Sequence, residues 1–309
     1  MIRLWIVISV LLLSILVVCG GCASTSGTAQ TAVEDAPLAQ ASEAGMIAFE
    51  RGDAPEAAAQ YEAALQRARF MDDAAAVADA AYNLAVCEVT ISRFEAAEKH
   101  LHEAEYNGRI SGTTLDGVHL LMAKLSYLQQ HDPEAEAIAE PLASSAVPAI
   151  RLQAQALLTL IACDVRQVTQ AESRLRELNS IAKGAGNLTP ALRAEIEKSE
   201  GSVALLEGNS SQAAAHFDQE AAFLRQAHRY RDVIHALTRS AAAHEKAGAA
   251  SVAADRYYQA ARGCVAVRDF RRAWELAGDA KSDAVAGHAP EISKLVDALT
   301  SEIDASADR

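Results

Sequence analysis

GSVALLEGNSSQAAAHF, residues 201 to 217, decides the fold. Gly201 leaves room for a neighbouring helix, and Gly208-Asn209 ends one apolar-periodic segment. Ala213 and Phe217, one turn apart, open the apolar face of the next segment. The stretch therefore reads as a helix, a tight turn and a second helix packed back on the first.

The same arrangement recurs along the chain. Aligning the turns gives a ladder of small residues on each first helix: Gly45, Ala85, Ala123, Thr159, Gly201 and Ala241. A second ladder lies twelve residues on: Ala57, Ala97, Ala135, Ala171, Ala213 and Ala253. A third lies four further on, at Tyr61, Leu101, Ala139, Leu175, Phe217 and Tyr257, which sets a large residue beside most of the alanines. Successive units stand about 36 to 42 residues apart, the range of helical solenoids. A plain alanine-rich bundle would not keep three ladders in register.

The better units are AGMIAFERGDAPEAAAQY, YNLAVCEVTISRFEAAEKHL and SAAAHEKAGAASVAADRYYQAA. They resemble the tetratricopeptide repeat, with a small residue midway along the first helix, a Gly-Asp-like turn at Gly52-Asp53, then Ala and an aromatic on the second helix. The likeness covers about residues 41 to 280 and departs from the family in unit length, usually 34 residues; the third and fourth units are degenerate. The resemblance implies an all-α, right-handed superhelix of about six to seven helical hairpins, over residues 41–289, with residues 290–309 as a capping helix and tail. Composition agrees: alanine is abundant, aromatics are 5% and only seven prolines interrupt the chain.

The N-terminus reads MIRLWIVISVLLLSILVVCGGC, one Arg followed by an apolar run from Leu4 to Val18. About fifteen apolar residues suit a signal-peptide core better than a membrane span of about twenty. Cys19-Gly20-Gly21-Cys22-Ala23-Ser24 resembles the lipobox of bacterial lipoproteins, although Cys19 stands where Leu is usual. That resemblance implies removal of residues 1–21 and lipidation of Cys22; the alternative is an uncleaved signal anchor. Residues 22–40, largely small and polar, are expected to form a flexible linker with a reach on the order of 20–25 Å. Ala23 after the cysteine resembles lipoproteins sorted to the outer membrane, facing the periplasm.

The formal charge is −13, and Arg3 is the only charged residue among the first 33, so loss of the leader leaves −13 − 1 = −14. An acidic surface repels phosphate backbones, which argues against a nucleic-acid partner. Cys87, Cys163 and Cys264 lie in apolar helical surroundings of different units and read as inert buried thiols. The nine histidines show no HExxH pattern, and His100 and His102 fall on nearly opposite sides of a helix. No GxSxG, Walker or dinucleotide-binding motif is present either. Neither a catalytic centre, a metal nor a cofactor is expected beyond the lipid.

In tetratricopeptide proteins the first helices line the inner wall, and some members clamp a partner's C-terminal carboxylate with Lys and Asn. Asn83 falls at such an Asn site, but the units on either side offer no matching Lys. A second candidate is cationic: Lys198 with His235 and Arg239, which suits an acidic peptide or a terminal carboxylate, or else forms ion pairs with Glu195 or Glu245. A third is the strip of Leu120, Lys124, Tyr127, Ala156, Leu160 and Cys163, mostly apolar, either a seat for a partner segment or packing between layers. The resemblance implies a membrane-tethered scaffold that binds cell-envelope proteins in its concave groove. Self-association into homo-oligomers through the last helix is the alternative.

Overall fold

The structure, a computed structural model, describes residues 35–307. Fourteen helices and no strand occur among the described residues: Ala36–Glu50 (α1), Ala54–Phe70 (α2), Ala74–Thr90 (α3), Phe94–Ser111 (α4), Asp116–Leu128 (α5), Asp132–Leu142 (α6) and Pro148–Asp164 (α7) form the first half. Val168–Gly184 (α8), Pro190–Leu206 (α9), Ser210–Gln226 (α10), Tyr230–Lys246 (α11), Ala250–Ala266 (α12), Phe270–Ala286 (α13) and Pro290–Ala307 (α14) form the second. Consecutive pairs pack as seven antiparallel hairpins, each stacked on the next.

The unit is longer than 34 residues because its helices are long. From α10 to α13 every helix has 17 residues and three-residue turns separate them, a half-repeat of twenty. Left-handed residues mark that period at Gly208, His228, Gly248, Arg268 and His288. At the first of these turns Asn209 N–H donates to Ala204 C=O (2.8 Å) and Gly208 N–H to Leu205 C=O (3.1 Å), the paired bonds of a Schellman stop. The same pair closes the turn at Gly52, with bonds of 2.9 Å from Gly52 N–H and Asp53 N–H, after which the Asp53 carboxylate caps α2 by accepting from Glu56 N–H.

The ladders are the core. Ala57, Ala97, Ala135, Ala171, Ala213 and Ala253 have no exposed surface, and neither do Ala85, Ala123, Thr159 or Ala241. The large residues close over them, with Tyr61, Phe217 and Tyr257 buried. Where an aromatic stands on the second helix the first helix can need glycine: a Cβ on Gly45 would sit 3.0 Å from the Tyr61 ring, and one on Gly201 only 2.7 Å from Phe217. The middle units deviate because proline starts α7 and α9 and shortens the neighbourhood of α6, which has eleven residues and Pro141 in its last turn.

Two expected boundaries move. The solenoid begins at Ala36 rather than 41, since Leu38 and Ala41, with Gly45 and Ala48 further on, continue the apolar face of α1 and pack against the first hairpins. At the other end α14 is the second helix of a seventh hairpin with α13, as well as a terminus. There the ladder changes chemistry: the positions forty residues after Ala241 and Tyr257 are Lys281 and Asp297, whose ammonium and carboxylate pair at 2.6 Å. Val296, Leu299 and Ile303 face the core, while Lys294, Asp297, Ser301 and Glu302 are exposed. The outer face of α14 is mostly polar, with Leu295 as its exposed apolar residue. No helix among the described residues is long and apolar enough to cross a membrane. Cys22 and the leader lie outside the described residues.

Candidate functional site

The first helices of successive units bring together polar side chains that the sequence spaces far apart. Lys124 on α5 donates to Gln153 Oε1 on α7 (2.8 Å) and to Glu195 Oε1 on α9 (3.3 Å), so one ammonium ties three successive inner helices. Burial pushes the Glu195 carboxyl up, but Lys124, Lys198 and Arg229 together outweigh it and hold the group at about 2. Water still reaches part of this side chain, which is 19% exposed.

Lys198 stands one turn from Glu195 on α9, and among the described residues its ammonium makes no ion pair or hydrogen bond. Burial, then repulsion from Arg239, lowers its pKa, while Glu195 and Glu220 draw it back. Arg239 on α11 pairs with Glu220 on α10 (2.6 Å), and its guanidinium lies 5.6 Å from the centre of the Phe217 ring. His235, one turn earlier, is disfavoured as a cation by burial and then by Arg272 and Arg239. Tyr127 donates to Asp164 Oδ2 (2.6 Å), and its pKa is raised by burial and by that partner while Arg239 pulls the other way. The charge of Arg239 on α11 thus reaches a tyrosine of α5, so both helices border the same group of charges.

A second observation agrees with a tight superhelix. A Cβ on Gly52, in the α1–α2 turn, would lie 3.5 Å from both His228 C=O and the Tyr230 ring at the start of α11. The first hairpin therefore touches the fifth-to-sixth junction. In this group of charges five cations (Lys124, Lys198, Arg229, Arg239, Arg272) meet five carboxylates (Asp132, Asp164, Glu195, Glu220, Asp232), so the cluster is locally balanced, 5 − 5 = 0, in a chain of −13. The Arg239 and Arg272 Nε atoms are buried without a partner, as is Glu220 Oε2.

Of the sequence-derived candidates, Lys198, His235, Arg239, Lys124 and Tyr127 share this lumen. Neither Glu195 nor Glu245 takes Arg239 as its ion-pair partner; Glu220 does, which no local spacing announced. Leu120 is not a groove residue: it is buried with Leu142, Ala154 and Ile150, packing α5 against α6 and α7. Ala156 joins Leu152 and Leu178 in the same kind of contact, and Leu160 is buried, so the apolar strip is interlayer packing. Asn83 is half-buried on α3 and makes no hydrogen bond to a lysine among the described residues. Burial lifts the thiols of Cys87 and Cys163 to about 12 and of Cys264 to about 11, so they stay protonated near neutral pH.

The Glu195 carboxylate gives an acid-unfolding expectation. Its folded pKa lies below the usual 4.5, so its stabilisation is complete above 4.5 and is lost as the pH falls toward about 2. The difference amounts to about 3 kcal/mol. Urea titrations at a series of pH values should show this loss in the natural chain and not in Glu195→Gln, which is weaker at neutral pH instead; parallel curves would mean that Glu195 carries no such linkage.

No protein-family model and no curated protein matches the chain. Among solved structures it is similar to the signal-transduction ATPase with numerous domains that carries a tetratricopeptide repeat sensor, from Pyrococcus horikoshii, at TM-score 0.51 and 16% identity over 88% of this chain and 45% of that one. A tetratricopeptide repeat protein from Parabacteroides merdae aligns over 84% of this chain and 98% of its own, with TM-score 0.45 and 13% identity. The TPR2AB domain of yeast Sti1, in complex with pHSP90, aligns over 86% and 98% with TM-score 0.32 and 14% identity. The fold is that of the tetratricopeptide-repeat solenoid, drawn out to forty-residue units and seven hairpins.

Proposed function

We propose that the protein is a protein-interaction scaffold, tethered to the cell envelope through a lipid on Cys22, that takes an acidic peptide segment or C-terminus of an envelope protein into its lumen. What carries this reading is Lys198, a partly buried ammonium without a hydrogen bond to any described residue, set among Arg239 and Lys124 and within reach of Glu195 and Glu220. A partly buried cation whose charge burial and Arg239 disfavour gains from an anionic ligand that bonds to it directly. Carboxylates also suit the two arginines, whose planar donors match them.

The reading predicts opposite effects of one substitution on stability and on binding. Lys198→Met should raise the melting temperature by a few degrees, because it deletes an unpaired charge. It should also weaken an Asp/Glu-rich peptide with a free C-terminus by tenfold or more and flatten the salt dependence of binding. Fluorescence anisotropy with that peptide and its amide-neutral counterpart reads both effects. Equal affinity of the two peptides, or of the two proteins, would remove the acidic-ligand reading. For the anchor, metabolic labelling with an alkynyl fatty acid should mark the natural chain and not Cys22→Ala; equal labelling would remove the tether.

A further inference from the structure

We infer that Glu197 and Glu200 of α9 and His216 of α10 form a binding site for one divalent transition-metal ion of the zinc class. The two glutamates are three residues apart on one face of α9, and His216 approaches them from the antiparallel partner helix. His216 Nδ1 lies 2.9 Å from Glu197 Oε2 and 3.4 Å from Glu200 Oε2. One ligand atom from each residue lies within 4.8 Å of the other two, and this is the only such trio among the described residues. Zinc bonds of 2.0–2.1 Å place neighbouring vertices of a tetrahedron about 3.3 Å apart, so an ion fits among these atoms with small side-chain shifts.

The surroundings favour an ion over a plain histidine–glutamate pair. Asn179 Nδ2 on α8 donates to Glu200 Oε1 (3.1 Å), which fixes that carboxylate and leaves its other oxygen turned to the imidazole, the arrangement of an outer-shell support. No lysine or arginine forms an ion pair with either glutamate among the described residues, unlike Glu195 with Lys124 or Glu220 with Arg239. Two carboxylates and a neutral imidazole cancel the charge of a divalent ion, and the imidazole donor selects zinc, cobalt or nickel over calcium and magnesium. The adjacent Phe217 is wedged against Gly201, so the two helices that supply the ligands are held in fixed register. All three side chains are about three-quarters buried, and the residual opening leaves a fourth position for water.

The test uses the tag-free full-length chain after dialysis against a chelator. Titrated Co2+ should saturate at one ion per chain with the strong visible bands of four-coordination, and Zn2+ should abolish them. Zn2+ should also raise the melting temperature of the natural chain. His216→Ala and Glu197→Gln should each weaken Zn2+ at least a hundredfold by calorimetry and erase the thermal shift, with the helical circular dichroism unchanged. Cobalt that remains six-coordinate, or zinc binding that survives both substitutions, overturns the site. If the three groups formed only an ion pair, the substitutions would lower stability equally with and without zinc, which also overturns it.

Discussion

Gly201→Ala destabilises the protein even though alanine is the better helix former. The added Cβ falls 2.7 Å from Phe217 Cε1, inside van der Waals contact with a ring that is itself fully buried. Overpacking of this kind costs about 1–3 kcal/mol, against about 1 kcal/mol gained in helix propensity. Gly287→Ala is more severe, about 3 kcal/mol, because its Cβ meets backbone, 2.4 Å from Ser251 N and 2.8 Å from its Cα, and backbone cannot rotate away. Gly45→Ala is milder, with the Tyr61 ring at 3.0 Å. Gly278 supplies the control: it is exposed on α13 with nothing within 4 Å, so Gly278→Ala should gain about 0.5–1 kcal/mol. Thermal and urea midpoints of the four variants should rank Gly278, natural chain, Gly45, Gly201, Gly287 from most to least stable. If Gly201→Ala matched Gly278→Ala, the close approach would not limit the hairpin.

Arg239→Met removes the counter-charge of Glu220, whose side chain is only 4% exposed. Breaking a buried pair from one side costs about 3–5 kcal/mol, since the remaining charge is stranded. The loss depends on pH in a defined direction. Burial already raises the Glu220 pKa, and losing Arg239 raises it further. A carboxyl with a raised folded pKa is harmless below the ordinary 4.5 and costs stability as the pH rises through its folded value. The variant should therefore approach the natural chain near pH 4 and fall away toward pH 8. Adding Glu220→Gln should restore most of the stability at pH 8. A pH-independent deficit, or no rescue, would show that Arg239 stabilises through its stacking on Phe217 alone.

The sequence carried the hairpins because the requirement for them is local. A small residue on one helix and a large one sixteen positions on recur in most units, so Gly201 with Phe217 and Ala241 with Tyr257 read alike. The last unit broke the rule with chemistry rather than spacing: Lys281 and Asp297 occupy the same two positions, and an ion pair has no signature in a search for small and aromatic residues. Turn positions were legible at Gly52 and Gly208 but not at Arg166 or His228, where the regular stop imposes the left-handed conformation on a residue with no preference for it. α1 was begun late because its alanines and Gln40 look like linker, whereas Leu38, Ala41, Gly45 and Ala48 keep helical spacing.

The lumen was legible only in part. Lys198, His235 and Arg239 could be assigned to inner faces by register, but their neighbours could not, since Lys124 meets Glu195 from 71 residues away. Such contacts depend on the curvature of the stack, and curvature accumulates from small rotations between units that no single motif encodes. Leu120 was misassigned for the same reason, as the short α5 and α6 turn its side chain into the layer behind. Glu197, Glu200 and His216 lay within one hairpin and could have been found by folding it at Gly208 on paper.

The touch between the Gly52 turn and Tyr230 makes the stack a split collar rather than an open trough. A chain end slides into a collar from its rim, whereas an internal segment has to spring it apart. Springing it breaks few contacts, because Gly52 offers no side chain and Tyr230 is half solvated at 52% exposure. On the proposed function, loading by internal segments would be paced by the collar, while free termini would load at their own diffusive rate. Because the seam opens at little cost, retention of the proposed occupant would rest on the charges within rather than on the seam.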